Sequence, residues 1–138
     1  MKLFTKQKGQ ALMTDDKTER TRVFTDAPWE ERVGYCRAIE CGGRISVTGT
    51  APIDEDGWTH APGDATAQAR RCLELIEDAL KEFGADRAHI VRTRMFVTEI
   101  DRWEEFGAAH AEFFGDEVPA TSMVEVSRLI DEDMLVEI

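Results

Sequence analysis

Pro119-Ala-Thr-Ser-Met-Val-Glu-Val-Ser-Arg-Leu129 and, after a short acidic stretch, Met134-Leu-Val-Glu-Ile138 are the segments from which the fold can be read. The first is a strand opened by a proline and the second is another strand. Val124, Val126, Leu135 and Val136 supply the apolar content that β-structure favours. Asp131-Glu132-Asp133 between them reads as a solvated turn, because three adjacent carboxylates repel one another in a dry site. Two polar groups interrupt the apolar pattern: Thr121 just after the proline, and Glu137 between Val136 and Ile138. A carboxylate flanked by residues of buried type needs a partner or a task. A reaction site in this chain is therefore expected here.

Working outward, Asp101 to Phe114 reads as a helix, with Asp101 and Glu104 spaced as a capping box and Gly115 as its stop. Trp103, Phe106, His110 and Phe113 fall on one side of it, and Phe114 joins them as core. His110, on that apolar face, reads as a hydrogen-bonded core histidine. His89 to Thr98 reads as a strand with Arg92 and Arg94 on one face and Phe96 as core or pocket wall. Asp64 to Phe83 is the strongest helix. Ala69, Cys72, Leu73, Ile76, Ala79, Leu80 and Phe83 recur at steps of three and four, Asp64 caps the start, and Gly84 closes the end. Glu77 and Lys81 are expected to pair on its exposed side.

Towards the start, Gly34–Glu40 and Arg44–Thr48 read as strands joined through Gly42-Gly43, a hairpin turn that needs positive φ. Ala27–Arg32 reads as a connecting turn and Arg20–Thr25 as a first strand. Residues 1–20 are lysine-rich and without a period, and are taken as a mobile leader; residues 21–138 are taken as a single domain. The order implies an α+β fold: a single mixed β-sheet with two helices packed on one face. Its other face then needs a cover, and oligomerisation through the sheet provides one.

The chain has 138 residues and a net charge of -11. Residues 1–20 carry five basic and three acidic side chains, so the remainder is still more acidic. Such a surface repels phosphate backbones and argues against nucleic acid as a partner. No apolar run approaches the roughly 18 residues of a membrane helix, and no signal peptide opens the chain, so the cytoplasm is the expected compartment. Cys36, Cys41 and Cys72 are odd in number and lack CxxC spacing, which argues against a disulfide framework and a zinc site. No metal centre is expected from His60, His89 and His110 either, which lie far apart.

Five short motifs then occur in order: Gly34-Tyr35, Val47-Thr-Gly-Thr-Ala-Pro52, Ala67-Gln-Ala-Arg70, Val91-Arg-Thr-Arg-Met-Phe-Val97, and Pro119–Val126 with Val136-Glu-Ile138. Together they resemble the RidA (YjgF/YER057c/UK114) family over roughly residue 23 to the end. The resemblance implies a YjgF/chorismate-mutase-like fold and a homotrimer, with small-molecule sites in clefts between subunits. It also implies hydrolysis, without a cofactor, of enamines and imines to a carbonyl compound and ammonia, a deaminase activity. The family's water-positioning glutamate falls on Glu137, as the catalytic residue, and its tyrosine on Tyr35. Its Ser-Gly turn falls on Thr48 and Gly49, its cysteine on Met123, and Phe96 lines the pocket. The family's carboxylate-binding arginine, in a Pro-Ala-Arg-Ser context, falls on Thr121. That departure implies an altered choice among enamines, imines and related small carbonyl metabolites, or a different arginine in the cleft, with Arg44, Arg92 and Arg94 as candidates. The alternative is a non-catalytic small-molecule-binding or regulatory trimer. A ribonuclease reading, attached to some relatives, is opposed by the acidic charge and the lack of a histidine pair.

Overall fold

The computed structural model describes residues 19–138, so the expected leader lies, through residue 18, outside the described residues. The chain divides into two compact units, one ending at Thr48 and the other beginning at Gly49. The α+β class holds. The expected single sheet takes the form of two three-stranded hydrogen-bonded sets, one in each unit.

In the N-terminal unit β1 (Arg20–Val23), β2 (Ala38–Cys41) and β3 (Arg44–Val47) form an antiparallel meander. Gly42 and Gly43 close the β2–β3 hairpin with φ of 61° and 78°, the left-handed pair that matches the twist of the flanking strands. The stretch taken as a connecting turn is instead a short helix, α1 (Pro28–Val33). Pro28 pre-sets its first turn, Glu30 and Glu31 favour its positive end, and Gly34 leaves it at φ 83°. The buried Glu30 carboxylate accepts from the Thr25 amide, at 3.1 Å to each oxygen, and from the Thr25 hydroxyl at 2.9 Å. The amides of Gly34 and Tyr35 both donate to the Glu30 carbonyl. Committed to the helix exit, they cannot join a ladder, and β2 starts only at Ala38 rather than at Gly34.

In the C-terminal unit β4 (Arg92–Val97) is the central strand, with β5 (Ala120–Glu125) parallel on one side and β6 (Val136–Glu137) antiparallel on the other. Thr93, Met95 and Val97 are buried, while Arg92 and Arg94 are exposed on the opposite face. Two helices, α2 (Ala65–Lys81) and α3 (Trp103–Phe114), cover the buried face: His110 of α3 reaches Thr93, and Cys72 of α2 lies against the Val136 carbonyl. The Asp64 carboxylate caps α2 by accepting from the Ala67 amide at 2.9 Å, and Gly84 at φ 70° follows its end.

Several local expectations are corrected. His89 belongs to a 3-10 turn, Arg87–His89, whose amides are bonded back to Asp86 and Arg87, so β4 begins at Arg92. Asp101 does not cap α3; the chain enters through a second 3-10 turn, Ile100–Arg102, and the cap position falls on Arg102 without a side-chain bond. Trp103 is 55% exposed, because side chains lean towards a helix's N-terminus and this one, at the first position, leans beyond the packed layer. Phe106, Phe113 and Phe114 are core as expected. Glu77 does not pair with Lys81. It takes the Arg87 guanidinium in two 2.7 Å bonds, which hold its carboxyl below the usual range, while Lys81 turns to Asp78. A planar two-pronged donor outcompetes a flexible ammonium for a carboxylate.

β6 is only two residues long and is held from outside. Gln68, fully buried on α2, donates from Nε2 to the Asp133 carbonyl at 2.8 Å and accepts at Oε1 from the Leu135 amide at 2.8 Å. Asp131 turns the acidic loop by accepting from the Asp133 amide. Replacing Gln68 by Leu would leave two backbone groups unpaired beneath the helix. Chemical denaturation should show a loss of about 2–4 kcal/mol; an unchanged midpoint would mean that the loop is anchored elsewhere.

Candidate functional site

Strand alternation decides where the candidate residues point. Val136 and Ile138 are buried on the helix side, which turns Glu137 to the other face, directly opposite Phe96 in the antiparallel register. Phe96 is half-buried, with Val124 in register on its other side. Beyond β6, Thr50 and Ile138 exchange two backbone hydrogen bonds, of 2.8 and 3.1 Å, which lays Gly49 alongside Glu137. A Cβ at position 49 would stand 2.6 Å from Glu137 Oε1 and 3.1 Å from its Cδ. The absence of a side chain at Gly49 is what lets the carboxylate lie there. Among the described residues this half-buried carboxylate has no hydrogen-bond or ion-pair partner.

Thr121 lies elsewhere. It is on β5, the sheet edge, in register with Thr93, and so on the helix-covered face. The Thr93 hydroxyl donates to Thr121 Oγ1 at 2.7 Å and is 2.9 Å from His110 Nε2. His110 is half-buried against the Phe114 ring, at a centroid distance of 4.6 Å, and burial pushes its pKa below the ordinary imidazole value. Met123 is half-buried in register with Met95 on the same face. Within one chain, then, Thr121 and Glu137 occupy opposite faces and opposite edge strands, with β4 between them. Two strand spacings alone separate them by roughly 9–10 Å.

The arginines expected as candidates for the cleft divide by face. Arg92 and Arg94 lie on the Phe96–Glu137 face; Arg92 donates to the Ser122 hydroxyl at 2.9 Å, and Arg94 is exposed with no partner among the described residues. In the N-terminal unit Arg44 is exposed at the start of β3. There too, Tyr35 is half-buried at the exit of α1, and the Thr48 hydroxyl donates to the Cys36 carbonyl at 2.6 Å.

Among the described residues no group of three or more His, Cys, Asp or Glu side chains is placed to hold a metal ion, and no helix is long and apolar enough to cross a membrane. The three cysteines are free thiols. Sequence reasoning placed His110 as a bonded core histidine but did not find its link to Thr121 through Thr93. The only signal was that Thr93 alternates with Met95 and Val97 on the buried side of β4.

Residues 25–138 match the model of the endoribonuclease L-PSP family. The chain is similar to the crystal structure of a Mycobacterium tuberculosis member of the YjgF/YER057c/UK114 family, with 44% identity, a TM-score of 0.77, and 86% of this chain and 94% of that chain covered. It is 32% identical to a RutC family protein of Pyrococcus abyssi over 83% of this chain and 90% of that one. It is 31% identical to the 3-aminoacrylate deaminase RutC of Acinetobacter baylyi over 75% of this chain and 82% of that one.

The Gly49 contact predicts a selective lesion. In Gly49→Ala the new methyl meets the far end of a flexible side chain, so Glu137 is expected to leave its rotamer while unfolding free energy changes by less than about 1 kcal/mol. A crystal structure of the variant and its denaturation curve check the two halves separately; an unmoved carboxylate contradicts the first.

Proposed function

Because the chain belongs to the endoribonuclease L-PSP (YjgF/YER057c/UK114) family, we propose that it is a cofactor-independent hydrolase of small enamines and imines, working in a cleft between the subunits of a cytoplasmic homotrimer. The observation that carries this reading is the Glu137 carboxylate: half-buried, unpartnered among the described residues, and lodged between Phe96 and Gly49. A half-buried carboxylate without a protein partner is available to a ligand or a water molecule, as proton transfer requires. The similarity to a 3-aminoacrylate deaminase supports an enamine as the substrate class.

In this reading an enamine first tautomerises to its imine. Glu137 takes a proton from a water molecule as the oxygen adds to the imine carbon. It gives that proton to the nitrogen, forming a carbinolamine, and then carries the carbinolamine hydroxyl proton to the nitrogen as the C–N bond breaks, so that ammonia leaves and a carbonyl compound remains. Thr121 and Met123 on one side, and Gly49, Phe96 and Glu137 on the other, line the cleft. The opposite facing of Thr121 and Glu137 within one chain supports a site assembled from two subunits, since one subunit presents only half of it. The assignments of Tyr35 and Thr48 rest on the family resemblance alone.

A second reading, a trimer that binds a small molecule without turning it over, is favoured by one observation: Thr121 brings no charge to a position where the family carries an arginine. Turnover decides between the two. Purified protein given freshly generated 3-aminoacrylate, a 2-imino acid or a neutral enamine should release ammonia above the spontaneous rate with at least one of them, and Glu137→Gln should lower that kcat/KM by at least about 100-fold. Light scattering should give a mass three times the 15.6 kDa chain. Absence of turnover by the trimer, combined with a ligand-induced rise in melting temperature, would favour the binding reading.

A further inference from the structure

The missing cation has a structured replacement. Thr93 is 6% exposed, and its single hydroxyl proton is given to Thr121 at 2.7 Å. With that direction, the 2.9 Å contact between Thr93 Oγ1 and His110 Nε2 is made by a proton on Nε2. The two contacts fit a chain of one polarity, in which His110 donates to Thr93 and Thr93 donates to Thr121. Burial favours the neutral ring by lowering the His110 pKa, which opposes a charge at the inner end of the chain. At its outer end Thr121 is exposed on an edge strand and accepts one bond, which leaves its own O–H uncommitted. Neither Arg92 nor Arg94 alters this within the subunit, since both lie on the other face of the sheet.

We infer that His110 and Thr93 are positioning residues that hold the Thr121 hydroxyl as a neutral hydrogen-bond donor, and that the ligand group meeting Thr121 is a neutral acceptor, the carbonyl oxygen of an amide or ester, in place of a carboxylate. The inference rests on the hydrolase reading for the reaction but on the Thr93 hydrogen bonds for the contact. A carboxylate set against Thr121 gains one hydrogen bond and no opposite charge, whereas a carbonyl oxygen needs only the bond. The substrates it favours are small enamines or imines with an amide or ester beside the reactive double bond.

Two measurements test the contact without turnover. In the intact protein, nitrogen-15 NMR of His110 near pH 7.5 should show a neutral ring with one tautomer, protonated on Nε2, and Thr93→Val should convert it to a mixture. A proton on Nδ1, or a spectrum unchanged in Thr93→Val, overturns the hydrogen-bond chain. Titration with the unreactive pair crotonamide and crotonate should then show that Thr121→Arg shifts the affinity ratio towards the carboxylate by about tenfold or more; an unshifted ratio means that Thr121 does not face the ligand. With 3-aminoacrylamide as substrate, Thr93→Val should lower kcat/KM about tenfold and Thr93→Ser should retain it within about twofold. Equal losses in both variants overturn the positioning role. Lack of turnover by the wild type, with the tautomer and the affinity shift as expected, removes the hydrolase reading and leaves the contact standing.

Discussion

A single buried amide holds the end of this chain in place. Gln68 is fully enclosed, and an enclosed amide must find partners for both its ends. It finds them in the carbonyl of Asp133 and the amide of Leu135, two backbone groups of a loop that has no ladder of its own. The acidic loop repels itself, and β6 has only two residues, too few for pairing with β4 alone to fix a register. The clamp supplies that register, helped by the reciprocal bonds between Thr50 and Ile138. Which face Glu137 takes follows from it: a slip of one residue would bury the carboxylate under α2 and turn Val136 outward.

Once the register is set, alternation separates two chemistries. The face under the helices carries hydroxyls and an imidazole linked to one another: Thr93, Thr121 and His110. The open face carries Glu137 and Arg94, neither with a partner among the described residues, around Phe96 and Val124. A fold optimised only for stability would pair or remove such charges. Arg94 is exposed and solvated at little cost, but a half-buried Glu137 left unpaired beside a glycine whose missing side chain makes room for it fits a site better than a surface.

Periodicity made much of this legible before any coordinates. The stripe of α2 at steps of three and four, the alternation of β4, and the glycine pair of the first hairpin each depend on local physics and appeared where expected. The misreadings have equally physical causes. α1 spans six residues, too short to show a period, and rests on Pro28 and Gly34 more than on an apolar face. Trp103 has the spacing of a core residue but sits at a helix's first position. Glu77 was assigned to the residue four along its own helix, yet was taken by Arg87, ten residues away, because a bidentate guanidinium bond is worth more than a helical neighbour. Gln68 was invisible to a search for apolar stripes, since it occupies a core position with a polar group.

The candidate site divides the same way. Glu137 could be singled out locally, as one carboxylate between two apolar residues. The link from Thr121 to His110 could not, because it depends on the parallel register of β4 and β5, which joins residues 28 apart and is set by the intervening helix. The family resemblance implies an arginine where this chain has Thr121. The register finds something in its place, a hydroxyl tied through a buried threonine to a neutral histidine. An arginine there would bring a mobile charge on a long side chain, adaptable to any anion. A threonine held by Thr93 brings one donor in one direction. Losing charge while gaining fixed geometry shifts discrimination from the sign of the ligand to its hydrogen-bonding pattern, which is how a fold that otherwise keeps the family's carboxylate strand can come to serve a different member of the same substrate class.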